Sequence, residues 1–203
     1  DALDGRLSYV SGIFYMKEAN TSRFETSFLF VPFGDPLVLN DNYMENDTES
    51  FAWYVQSDYE IVDNLTLTAG VRWTDERKTI PAYSHNNAFG AAFDLDDIRA
   101  ASIPDQVTAI QWTPRFVASY QATDDFMFFA SATRGFKSGG WNGRAGEARL
   151  MTRFDEETVW SYEAGTRAEW FDNRLRTNVT LFDVTYSELQ LPALAFQPGP
   201  GEA

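Results

Sequence analysis

Residues 133–144 read TRGFKSGGWNGR and set four glycines around a Lys137–Ser138 pair. These are the components of a phosphate-cradling loop, where backbone N–H groups line a turn and a lysine reaches the anion. The spacing does not fit. Such a loop requires Gly-Lys-Ser/Thr opening a helix, with a second glycine five positions earlier. Here Phe136 precedes Lys137, Ser131 stands at the earlier glycine position, and no helical pattern follows. The glycines are expected instead where a strand releases into a loop and φ > 0 is needed.

Other candidate chemistry is equally incomplete. Asp94, Asp96, Asp97 and Asp105 could suggest calcium, but the loop spacing and its glycine are missing, so a solvated acidic loop is the better reading. The sequons at Asn20, Asn46, Asn64 and Asn178 include two that fall at a tight turn or inside a strand, which favours chance. His85, the single histidine, lies in PAYSHNNAFG and reads as a solvated loop residue that could touch a metal-bearing ligand. Glu156, Glu157, Glu163 and Arg167 lack a Ser/His/Asp set, a paired-carboxylate motif or a metal signature. No enzyme and no cofactor are expected. Without cysteine there is no disulfide scaffold and no thiolate chemistry.

These residues must be positioned by strands. In 111–121, Trp112, Pro114, Phe116, Ala118 and Tyr120 alternate with Gln111, Thr113, Arg115, Val117, Ser119 and Gln121. Residues 65–74 and 157–170 alternate likewise, and 7–17, 51–60, 126–136 and 174–186 also read as strands. No segment gives a convincing helix. The fold class is therefore all-β, an antiparallel up-and-down meander of seven strands.

Connections alternate in length. Tight turns at Val62-Asp63-Asn64, Thr123-Asp124-Asp125 and Phe171-Asp172-Asn173 use residues suited to hairpins, and Gly5 closes what looks like a fourth. Long polar connections are expected at 18–48, 77–110 and 137–156. The unit of tight turn, strand, long loop and strand recurs roughly every 50 residues. Short turns at one end and long loops at the other are the rule for transmembrane β-barrels, and strands of 10–14 residues can cross a bilayer.

Aromatic placement favours a barrel wall over a soluble sandwich. On the apolar face Trp53, Trp73, Trp112 and Trp160 lie toward the long-loop ends, and Tyr59, Tyr120, Phe126 and Trp170 toward the tight turns. Two aromatic belts around an apolar band match anchoring at the two headgroup levels. Gln56, Asp58, Arg72, Arg115, Glu163 and Arg167 line the other face. Arg134, on the apolar face, counts to the outer rim, where a charge costs about 0–1 kcal/mol. The net charge of −14 argues against a nucleic-acid partner.

Three stretches carry a resemblance: RGFKSGGWN at 134–142, the Glu157–Gly165 run E-x-x-x-x-Y-E-x-G, and DNRLRTN at 172–178. With LTLTAGVRWTDERK at 65–78 and the strands of 112–136, the chain resembles the barrel of TonB-dependent outer-membrane receptors. The resemblance implies active import of a scarce nutrient, usually a ferric siderophore, by binding and TonB-gated passage. It implies outer-membrane lipid, a plug domain, TonB and a small-molecule ligand as partners. The transported ligand would be an iron complex.

Barrels of that family close with about 22 strands, so residues 1–203 are expected to form an internal piece of wall, with plug and remaining strands outside it. Tyr83, His85, Lys137, Trp141, Asn142 and Arg144 are the expected ligand contacts. The alternatives are a soluble all-β glycan-binding module and a passive porin-like wall.

Overall fold

The computed structural model describes residues 5–29, 36–90 and 92–191. Seven long strands form the wall: β1 (Leu7–Leu29), β2 (Pro36–Val62), β3 (Leu65–Thr79), β6 (Gln106–Thr123), β7 (Phe126–Lys137), β10 (Glu157–Trp170) and β11 (Leu175–Ser187). They pair in that order, every pair antiparallel. The result is a single curled sheet. Among the described residues the one other sheet is a two-stranded pairing within a loop, too small to be the second layer of a sandwich. Four short strands decorate the loops. β4 (Tyr83–Asn87) pairs with Asn40–Met44 of β2, β5 (Phe93–Asp94) pairs with β4, and β8 (Gly140–Trp141) pairs with β9 (Arg153–Phe154).

Register explains the two faces. Trp53 stands opposite Trp73, and Trp73 opposite Trp112, so three indoles form one row. Trp53 and Trp112 meet edge to face at 5.4 Å, a geometry the ring quadrupoles favour. Below them Val55, Val71, Phe116 and Ala118 continue the apolar face, and Tyr59 and Tyr120 lie near the turns, paired with Leu67 and Leu65. Phe126 contacts Trp170 at 6.2 Å, and Trp160 stacks on Tyr162 at 5.8 Å. Arg134 donates Nη1–H to the Trp112 carbonyl at 2.6 Å, so its charge sits in the row of outer indoles.

The opposite face is polar. Arg72 lies 5.1 Å over Phe14, and Arg167 lies 5.5 Å over Phe129. Phe129 lies across Gly165, where an added Cβ would come within 2.8 Å of the ring. Asn64 (φ 73°) and the run Phe171, Asp172, Asn173 (φ 57°, 54°, 65°) hold the hairpin turns in the left-handed region.

Two expectations are corrected. The connection expected at 18–48 is largely strand, because β1 and β2 continue their ladder well past the wall. Its polarity resembles a loop because a ribbon standing in water needs no apolar alternation. Its backbone ladder holds it, with exposed cross-strand ion pairs added: Lys17 with Glu49 at 2.8 Å and Arg23 with Asp41 at 2.8 Å. A short helix also exists, α1 (Leu95–Ala100). The acidic run expected to be merely solvated is its cap, with Asp94 accepting from the Asp96 and Asp97 backbone N–H groups and Asp97 closing a capping box.

Candidate functional site: a loop platform on the polar face

The loops 80–105 and 138–156 do not stand apart in solvent. They share a hydrophobic cluster of Ile80, Tyr83, Phe93, Leu95, Ile98, Val107, Trp141, Ala145 and Met151, with Met44, Ile103 and Ala148 at its margin. The register assigns it a side. Tyr83 pairs with Met44, and Val107 pairs with Lys78, which shares a face with Glu76 and Arg72. The cluster therefore rests on the polar face, at the long-loop end of the wall.

Local sequence explains how each loop reaches it. α1 buries Leu95 and Ile98 on one side while its acids cap the N-terminus and Arg99 bonds Asp105 at 2.8 Å. Tyr83 stacks on Phe93 at 5.5 Å, and its hydroxyl donates to the Gly143 carbonyl at 3.3 Å. Trp141 donates its indole N–H to the Pro104 carbonyl at 2.7 Å. Each of these last two bonds joins one loop to the other. Gly139 lets the 138–156 loop close on itself, since a Cβ there would lie 2.4 Å from the Phe154 carbonyl oxygen.

His85 is buried beside Phe93, with ring centroids 4.8 Å apart. Its Nδ1 meets the Asn42 side-chain oxygen, which makes Nδ1 the protonated nitrogen, and Nε2 has no hydrogen-bond partner. Burial lowers the His85 pKa below its ordinary value, and burial pushes the Tyr83 phenol up to about 12. Both groups are neutral at physiological pH.

The six expected contact residues thus divide. Tyr83, His85 and Trp141 come together in the packed interior of the platform, while Lys137, Asn142 and Arg144 are exposed. Lys137 ends β7 opposite Glu157. Arg144 lies 4.3 Å over the ring of Phe24, on the tall part of β1. Phe24 is missed by the sequence reading because its segment reads as loop. Lys78, which bonds the 138–139 turn, is missed as well, because β3 runs to Thr79 and the sequence reading places residue 78 in a connection. Asp41 is held below the usual carboxylate range by its bond to Arg23, so part of the acidity of the tall ribbon is paired. Among the described residues no group of three His, Cys, Asp or Glu could hold a metal ion.

The described side chains exposed at this end include Lys137, Asn142, Arg144 and Phe24. Comparison with known proteins bears on what this end is for. A family model described as TonB dependent receptor-like, beta-barrel, matches residues 3–202. The metal-pseudopaline receptor CntO of Pseudomonas aeruginosa is 29% identical over 151 residues, covering 74% of this chain and 18% of that protein. The ferric yersiniabactin uptake receptor FyuA from Yersinia pestis superposes with a TM-score of 0.74 at 19% identity, over 94% of this chain and 27% of its own. The ferric-catecholate import receptor Fiu from E. coli superposes with a TM-score of 0.60 at 15% identity, over 88% and 28%. The chain thus spans under a third of the length of each of these relatives.

Proposed function

The chain belongs to the TonB-dependent receptor β-barrel family of the outer membrane, and from that premise we propose that it forms part of the wall and ligand platform of a receptor importing a ferric siderophore. The observation that carries this reading is the platform itself. Two loops fold over the polar face, and the second presents Asn142 and Arg144 at the long-loop end, where Lys137 ends β7. The names of its relatives supply the ligand class: a metal-pseudopaline receptor, a ferric yersiniabactin uptake receptor and a ferric-catecholate import receptor.

In this reading the mechanism is binding and gated passage. Arg144 and Lys137 meet the anionic donors of the chelate, where a charge-assisted hydrogen bond is stronger than a neutral one. Phe24, already under the Arg144 guanidinium, adds an apolar surface for the ligand scaffold. Tyr83, His85 and Trp141 support the platform from within and do not touch the ligand. The complete receptor adds a plug and the remaining strands, and TonB supplies the energy for passage.

The test is iron uptake by the complete receptor in cells lacking their own siderophore receptors. Radiolabelled iron is offered as ferric catecholate, hydroxamate and phenolate chelates. Saturable uptake of one class, lost without TonB and weakened by Lys137→Ala with Arg144→Ala, supports the reading. Uptake that persists without TonB would identify a passive wall. Uptake of no chelate sinks the reading.

A further inference from the structure

Ser138 is held from two sides by residues distant in sequence. From β3, Lys78 Nζ donates to Ser138 Oγ at 2.5 Å and to the Gly139 carbonyl at 3.3 Å. Glu76 lies 3.5 Å from the same ammonium, and the two side chains are 23% and 17% exposed. Between β3 and β7 runs β6, where Glu76 and Lys78 stand opposite Ala109 and Val107, both buried and uncharged. From the far side, the Gln190 side-chain amide donates to the Ser138 carbonyl at 3.2 Å and to the Asp155 carbonyl at 2.9 Å. The Gln190 backbone N–H donates to Glu157 Oε2 at 2.8 Å.

None of these bonds is needed for the register of the wall. β7 is already aligned by its ladders to β6 and β10, which end at or before Lys137. What the bonds fix is the direction in which the chain leaves β7, four residues before Asn142 and six before Arg144. A donor that is charged, half-buried and neutralised by Glu76 is a strong and directional anchor. A released loop would sample many exits, and a ligand would then have to meet the cost of ordering it.

We infer that Lys78 and Gln190 are positioning residues for ligand binding: by clamping Ser138 and Gly139 from opposite sides, they hold Asn142 and Arg144 in place on the platform. This inference rests on the receptor reading above. Lys78 does not contact the ligand; it acts through the turn it holds.

The experiment uses the complete receptor with Lys78→Met, Lys78→Arg and Gln190→Ala, in two arms. The first is amide hydrogen exchange in detergent without ligand. Lys78→Met keeps the aliphatic stem but removes the donor, so residues 138–151 are expected to exchange roughly 10-fold faster while 65–77 and 157–170 keep their protection. Lys78→Arg is expected to restore much of it. The second arm measures uptake of the same ferric chelates, where Lys78→Met is expected to raise the half-saturating concentration with little change in maximal rate.

Unchanged exchange over 138–151 in both Lys78→Met and Gln190→Ala overturns the inference, whatever uptake does. So does a loosened loop with unchanged half-saturation. Should Lys78→Met fail to assemble, Gln190→Ala, which removes only neutral hydrogen bonds, decides the matter by the same two readouts. If the variants loosen the loop but the wild-type receptor takes up no chelate, the receptor reading is overturned, and with it the assignment to ligand binding.

Discussion

The Trp141 indole donates to the Pro104 carbonyl across 2.7 Å, and this bond ties the loop leaving β7 to the loop entering β6. Trp141 is also 7% exposed and packs in the hydrophobic cluster of the platform. Trp141→Ala is therefore expected to cost the loop unit about 3–5 kcal/mol. Proteolytic nicking within 143–152 should appear while the wall strands stay protected. Trp141→Phe keeps most of the packing and should cost about 1 kcal/mol for the lost hydrogen bond, plus whatever the unpaired carbonyl adds.

Glycine substitutions should separate by what surrounds them. A Cβ at Gly139 would lie 2.4 Å from a backbone oxygen, whereas nothing lies within 4 Å at Gly146. Gly139→Ala is expected to loosen the turn and lower the amount of heat-stable folded receptor seen by gel mobility. Gly146→Ala should be silent in the same assay.

Acid should open the platform. Burial holds the folded-state His85 pKa below its ordinary value of 6.5. The unfolded loop therefore takes up a proton at higher pH than the folded loop. Its contribution to stability is complete above 6.5 and is lost progressively as pH falls below that value. Once exchange rates are corrected for the intrinsic pH dependence of amide exchange, protection over 83–90 and 92–100 should fall between pH 7 and pH 5 in the wild type, and His85→Gln should remove that loss of protection. Equal acid sensitivity in the variant would locate the titrating group elsewhere.

Charges on the apolar face should be tolerated by height. Val71→Arg, between the two aromatic belts, is expected to destabilise the wall by about 2–4 kcal/mol in lipid vesicles. Arg134 sits in the row of outer indoles, so Arg134→Leu should change stability by less than about 1 kcal/mol. Urea unfolding of the two variants side by side provides the comparison.

The tight-turn ends of the wall were legible because period-two alternation and Asn/Asp turns are local signals. Asn64, Asp172 and Asn173 adopt the positive φ that those residue types announce, whereas the positive φ of Phe171 is set by the turn around it. The tall β1–β2 ribbon was not legible, because its polar side chains, Arg23 and Asp41 among them, give no apolar alternation while the backbone ladder alone pairs the strands. α1 escaped notice for a related reason. At six residues it is too short for a helical period, and its cap, Asp94 with Asp97, reads as an acidic cluster.

What the sequence by itself determined is the wall: the turn-proximal parts of its strands and the alternation of an apolar with a polar face. Alternation along a strand depends on the chain geometry of one residue after another, so it can be read without neighbours. What only the tertiary structure decided is the platform. Whether Tyr83, His85 and Trp141 point to a ligand or to one another depends on how two loops separated by β6 and β7 pack together. That is a matter of long-range contacts such as Trp141 to Pro104 and Lys78 to Ser138, and no local pattern encodes them.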